Sequence, residues 1–140
     1  MLYETDIIQW VEQQVNLIQA QRYSEVDWVN IIEEIEDLSK RERDLFLSSI
    51  RLIIQHLLKW EYEPEKRFLS WEITIKRERN HLKRYLRDAP SLKRYWADLS
   101  KVYRDARADA ANETGIDDWD FPEDCPYSPE QIQSDWFPPE

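Results

Sequence analysis

One glycine, Gly115, in a chain of 140 residues is the feature that most constrains this fold. Glycine supplies the positive-φ backbone that tight turns require, so such turns must be few here. An ordinary chain carries about 7% glycine. With Glu, Arg, Leu and Ile all abundant, the sequence favours helices joined by short connections. Seven Trp and seven Tyr supply large apolar groups for a core. A chain of this length buries roughly two-thirds of its unfolded surface, so a single domain over 1–140 is expected.

The helical pattern can be followed residue by residue. Thr5 is the expected N-cap of a first helix over about Asp6–Gln21. Ile7, Trp10, Val11, Gln14, Leu17 and Ile18 fall on one side of it. A second helix, capped by Ser24 or Asp27, carries the stripe Trp28, Ile31, Ile32, Ile35 and Leu38. Continued, that stripe takes in Glu42 and then Phe46, Ile50, Ile53, His56, Leu57 and Trp60. A carboxylate in such a stripe predicts a bend near Ser39–Arg43, or else an inward partner for Glu42. Pro64 ends this helix and opens the next, which runs to about Asp88 with Phe68, Trp71, Ile75, Leu82 and Leu86 inward. Ser91 is expected to cap a last long helix closed by Gly115 in a left-handed cap. The expected fold is all-α: a bundle of four to five helices over about 5–114, with an extended acidic, aromatic-rich C-terminal arm over about 115–140. Trp119, Phe121, Tyr127, Trp136 and Phe137 make that arm too aromatic for a disordered tail, so it is expected to dock. Ser128, Pro129 and Gln131 spell a capping box and one short helical turn.

Charge is unevenly spread. Residues 1–58 carry 5 basic and 11 acidic side chains, residues 59–107 carry 14 and 8, and residues 108–140 carry none and 10, for a net −10. An acidic chain is repelled by nucleic acid, which is therefore a disfavoured partner. No apolar run approaches the ~20 residues that span a bilayer, and no signal pattern opens the chain. A single cysteine, Cys125, gives no disulfide framework. A cytoplasmic protein is the expectation.

The stretch NIIEEIEDL looks at first like a carboxylate cluster. Helical spacing scatters it: Glu33 and Asp37 face outward, while Glu34 and Glu36 flank the stripe on opposite sides. His56 lies on the stripe and must satisfy two ring nitrogens. Arg79 is a second inward polar group, able to grip a carboxylate with two bonds. The expected polar network is Glu34, Glu36, Glu42, His56, Glu72 and Arg79, read first as a brace that fixes helix register. A divalent metal on His56 with Glu34, Glu42 or Glu72 is the lesser alternative. No residues qualify as catalytic, and no cofactor is implied.

The motifs EEIEDL, HLLKWEYEPEKR, SWEITIKRER, APSL, YRDARADAANETG and FPEDCPYS stand in order along the chain. With them the sequence resembles the bacterial family named Domain of Unknown Function 29, from about Tyr3 to Trp136. The resemblance implies an all-helical protein and supplies no reaction. Asp124 and Ser128 depart mildly from the family's pattern. The expected role is a non-catalytic interaction module whose partner is another protein, such as a basic toxin sequestered by an antitoxin-like chain. An enzyme or ligand binder using the region of His56 and Arg79 is the alternative. The oligomeric state is open.

Overall fold

The computed structural model describes residues 1–139. Among them the protein is all-helical, with no strand. The α-helices are α1 (Leu2–Thr5), α2 (Ile7–Gln19), α3 (Trp28–Tyr62), α4 (Leu69–Asp88), α5 (Leu99–Thr114) and α6 (Pro129–Gln133). Tighter 3-10 pieces cover Tyr23–Glu25, Pro90–Asp98 and Asp118–Asp120. The chain divides into two compact units, Met1–Arg41 and a second from Glu42 onward.

The first unit holds α1, α2 and the start of α3. Asp6, rather than Thr5, caps α2 by accepting from the Gln9 N–H at 3.1 Å. It stands one residue closer than Thr5 to the orphan N–H groups of the first turn, and its carboxylate accepts without needing a proton of its own. Gln21, at φ 60°, takes the left-handed conformation after α2. Trp10 is buried, and its indole N–H donates to Asp27 Oδ2 at 3.1 Å. The Asp27 N–H donates to Gln14 Oε1 at 2.7 Å. The Asn30 amide, also bonded to Asp27, is the main cause that holds this carboxyl below its usual range. Asp27 is thus the acceptor at the start of α3, one of the two caps expected.

The α3 helix is continuous through Ser39–Arg43, so the chain does not leave the helix there. Glu42 is exposed and needs no inward partner. The α3 helix changes surroundings along its length: Ile32, Ile35 and Leu38 are exposed, whereas Phe46, Ile50, Ile53 and Leu57 are buried.

The core of the second unit joins those α3 residues to Ile75 and Leu82 of α4 and to Val102, Tyr103, Ala106 and Ala110 of α5. Each fully buried Leu or Ile contributes about 2 kcal/mol. Phe121, Tyr127 and Ile132 of the C-terminal segment belong to the same cluster. Gly115, at φ 76°, ends α5 with its N–H on the Ala111 carbonyl at 2.9 Å. Ser128 and Gln131 form the expected capping box. Two boundaries differ from expectation. The α4 helix starts at Leu69, because the Glu63–Lys66 turn follows α3 first. Ser91 lies inside the 3-10 piece and makes no cap, so α5 starts at Leu99.

Candidate functional site

Arg79 is the most constrained polar residue of the second unit. It lies on the inner face of α4 between Ile75 and Leu82 and is 3% exposed. Its Nε donates to the Ile132 carbonyl at 2.9 Å. Its Nη2 donates to the carbonyls of Gln131 at 3.0 Å and Trp136 at 2.6 Å. Two of these carbonyls end α6, where no intrahelical donor exists. Burial pushes the Arg79 pKa down to about 10, partly offset by Asp135, so it stays charged at neutral pH. Its Nη1 has no partner among the described residues. Its guanidinium lies 5.2 Å from the Phe137 ring. Arg79 also lines an open depression of about 500 Å³ with Lys76, Asn80, Lys83 and Asp135.

Other contacts hold the segment on either side. Tyr103 Oη donates to the Pro122 carbonyl at 2.5 Å, and Arg107 Nη1 donates to the same oxygen at 3.2 Å. Arg107 Nε stands 3.1 Å from Asp118 Oδ1, an ion pair whose N–H is not aimed along the contact. Tyr127 Oη donates to Glu61 Oε2 at 2.6 Å. Burial first, and Glu61 second, raise the Tyr127 pKa. Phe137 meets Trp60 at 4.9 Å, and Phe121 meets Tyr62 at 4.9 Å. Burial likewise raises the Cys125 pKa, which favours the protonated thiol.

Two further clusters of titratable groups stand in the second unit. His56 Nδ1–H donates to the Leu52 carbonyl at 2.8 Å, which leaves Nε2 as the acceptor of a neutral ring. Burial lowers its pKa, as does Lys59, while Glu113 opposes them. Lys59 is buried, pairs with Glu113 at 2.5 Å and sits 4.8 Å above the Trp71 ring. The other cluster centres on Glu78, which is 6% exposed. Ser49 Oγ donates to Glu78 Oε2 at 2.8 Å, and His81 Nδ1 lies 3.0 Å from the same oxygen. The carboxylate stands between serine and imidazole, so this is not a relay in which histidine activates the hydroxyl.

Of the expected network, Glu34 and Glu36 belong to the first unit and Glu42, His56, Glu72 and Arg79 to the second, where those four make separate contacts. Glu34 accepts from Tyr3 Oη at 2.6 Å and is the main cause that pushes the Tyr3 pKa up to about 12. Glu36 and Glu42 are exposed. Glu72 pairs with Lys76 at 2.8 Å, one turn along α4. His56 and Arg79 bond backbone carbonyls, each in its own place. Among the described residues, no group of three or more His, Cys, Asp and Glu side chains is placed to hold a metal ion. Glu78 is a buried carboxylate that the sequence places near the α4 stripe but that the expected network leaves out. Its Glu-x-x-His spacing to His81, with both on one side of α4, was the available signal.

A family model, Domain of unknown function DUF29, matches residues 2–137. The chain belongs to the DUF29 family. No curated protein and no solved structure matches it. The DUF29 motifs read earlier supply the contacts just described. Trp60 and Glu61 come from HLLKWEYEPEKR, Arg79 from the end of SWEITIKRER, Tyr103 and Arg107 from YRDARADAANETG, and Tyr127 from FPEDCPYS. Much of this DUF29 chain's motif content is thus spent on seating the C-terminal segment.

The first unit presents a different kind of surface. On α3, Trp28, Val29, Ile32, Ile35 and Leu38 are 44–78% exposed. On α2, Ile7, Ile8, Val11 and Val15 are 44–70% exposed. Only Trp10 and Val26 are buried apolar residues in this unit. It carries nine acidic and three basic side chains, net −6. Amphipathic helices must bury their stripes against another element to be stable. Here they are left in solvent.

Proposed function

We infer that this DUF29 chain is a non-catalytic interaction module, and that the exposed apolar faces of α2 and the start of α3 are where it binds another protein. One observation carries the reading. The stripe Trp28, Ile32, Ile35 has the periodicity of a core helix and the exposure of a surface one. An amphipathic helix whose apolar stripe is uncovered offers that stripe to another element. The bonding of His56 and Arg79 to backbone carbonyls supports the same reading, because it commits both groups to holding structure. In this view the second unit is a helical bundle closed by its C-terminal arm, and the two units serve one function. No helix among the described residues is long and apolar enough to cross a membrane. A cytoplasmic setting suits the unpaired Cys125.

Site-specific photo-crosslinking in cells tests the reading. A photoreactive residue at Ile32 should give a discrete covalent product, and one at the exposed Lys101 should not. If Ile32 gives none, while His56→Ala abolishes a measurable activity with folding kept, the module reading fails and the ligand-site alternative takes its place.

A further inference from the structure

We propose that the depression between α4 and the C-terminal segment binds a small carboxylate, its charged end on Arg79 and Lys83 and its apolar body against Phe137. This goes beyond the interaction reading and is independent of it, since every residue involved belongs to the second unit.

One wall of the depression is a single stripe of α4. Lys76, Arg79 and Lys83 are spaced three and four residues apart, which puts all three on one side of the helix. Asn80 stands beside Arg79. The facing wall is Asp135 and Phe137. Together they line about 500 Å³, within the range of small-molecule sites, roughly 300–1,000 Å³.

What these groups leave unspent sets the chemistry of the ligand. Arg79 Nε and Nη2 are taken by three backbone carbonyls, but Nη1 is buried with no partner among the described residues. A buried donor left unpaired is costly, and an acceptor oxygen that reaches it relieves the cost. Lys76 is already paired with Glu72. Lys83 has no acidic partner, and the Asn80 side chain no hydrogen bond, among the described residues. Residues 79 and 83 stand one turn apart, so one carboxylate can accept from Nη1 with one oxygen and from the Lys83 ammonium with the other.

The charge count favours a carboxylate over a phosphate. Three cations and two carboxylates, Glu72 and Asp135, line the depression, which leaves one net positive charge. A carboxylate neutralises it. A phosphate dianion would add an unmatched negative charge facing Asp135, which repels it. Phe137 packs on Trp60 at 4.9 Å and offers its ring to an apolar body. Nη1 has no open surface of its own, so the incoming oxygen must displace the wall beside it. The α4 wall is fixed in the core through Ile75 and Leu82, which leaves the Asp135–Phe137 wall to give way.

Benzoate is the probe, with benzamide as its neutral counterpart and inorganic phosphate as the rival anion. Each is titrated into the full chain and followed by proton–nitrogen NMR. Benzoate should shift the Arg79 Nε–H and the backbone amides of Asn80, Lys83 and Phe137 along one saturating curve. Benzamide should leave them in place, and phosphate should bind at least about tenfold more weakly. Lys83→Met should weaken benzoate about tenfold, as loss of a hydrogen bond to a charged group does. Asp135→Asn should tighten it. Lys83 and Asp135 are exposed, so circular dichroism should show both variants folded as the parent. The absence of a saturable shift with benzoate overturns the proposal. So does equal benzoate affinity in Lys83→Met, or equal affinity for benzamide. Phosphate binding tighter than benzoate overturns it too, and reassigns the depression to a phosphate. Crosslinking through Ile32 is unaffected by any of these results, so this proposal and the interaction reading stand or fall separately.

Discussion

Arg79 Nε stands 2.9 Å from the carbonyl oxygen of Ile132, a bond across fifty-three residues of sequence. It gives the end of α6 the donor that a helix C-terminus lacks. With two more carbonyls on Nη2, one side chain fastens the C-terminal segment to α4.

Arg79→Ala should therefore cost about 3 kcal/mol, since hydrogen bonds to a charged group each contribute ~1.5–3 kcal/mol and the buried carbonyls lose their donor. Arg79→Lys should recover only part of this, because an ammonium cannot reproduce the planar spread of the guanidinium. Urea unfolding measures both. Limited proteolysis should cut first near Phe121–Trp136 in the alanine variant.

Truncation after Gly115 should remove three buried side chains, Phe121, Tyr127 and Ile132, from the core cluster. At about 2 kcal/mol each, that loss is on the order of 5 kcal/mol. An apolar dye should bind the truncated chain and leave the full chain dark. Equal melting temperatures with equal dye binding would contradict the seated segment.

Acidification should destabilise the protein in two steps. Burial holds the His56 pKa below its ordinary 6.5, so the unfolded chain takes up the proton first and stability falls as pH drops below about 6.5. The Glu113 carboxyl is held below its ordinary 4.5 chiefly by the Lys59 hydrogen bond, so a second loss follows as pH drops below about 4.5. His56→Gln should flatten the first step and leave the second. Urea midpoints between about pH 8 and about pH 3 report both.

Gly115→Ala should cost about 1 kcal/mol, because φ 76° suits glycine and strains other residues. Nothing lies within 4 Å of the added methyl, so the cost is conformational and not steric. Thermal unfolding should show a lower midpoint with an unchanged spectrum.

The sequence made the helices legible because their signals are local. Gly115 and the Ser128–Gln131 box each act within a turn, and each is where spacing puts it. The polar partners were not legible in the same way. Whether Arg79 meets a carboxylate or a carbonyl depends on a segment fifty-three residues away, and no pattern within α4 encodes that choice. The Trp28–Leu38 stripe shows a third case. Periodicity reports that one face of a helix is apolar. It does not report whether that face is covered by the same chain or by another molecule. Glu42 looked like an intruder in a continuous core stripe, yet it stands on the exposed stretch of α3 before Phe46.

The apolar face at the start of α3, proposed as the working surface, can be probed by photo-crosslinking in cells with a photoreactive residue at Ile35, in the parent and in an Ile32→Glu/Leu38→Glu variant. A discrete covalent product is expected from the parent and none from the variant, with identical amide-exchange protection over residues 46–58 in both purified proteins. No product from either, or equal products from the two, would show that this face binds nothing.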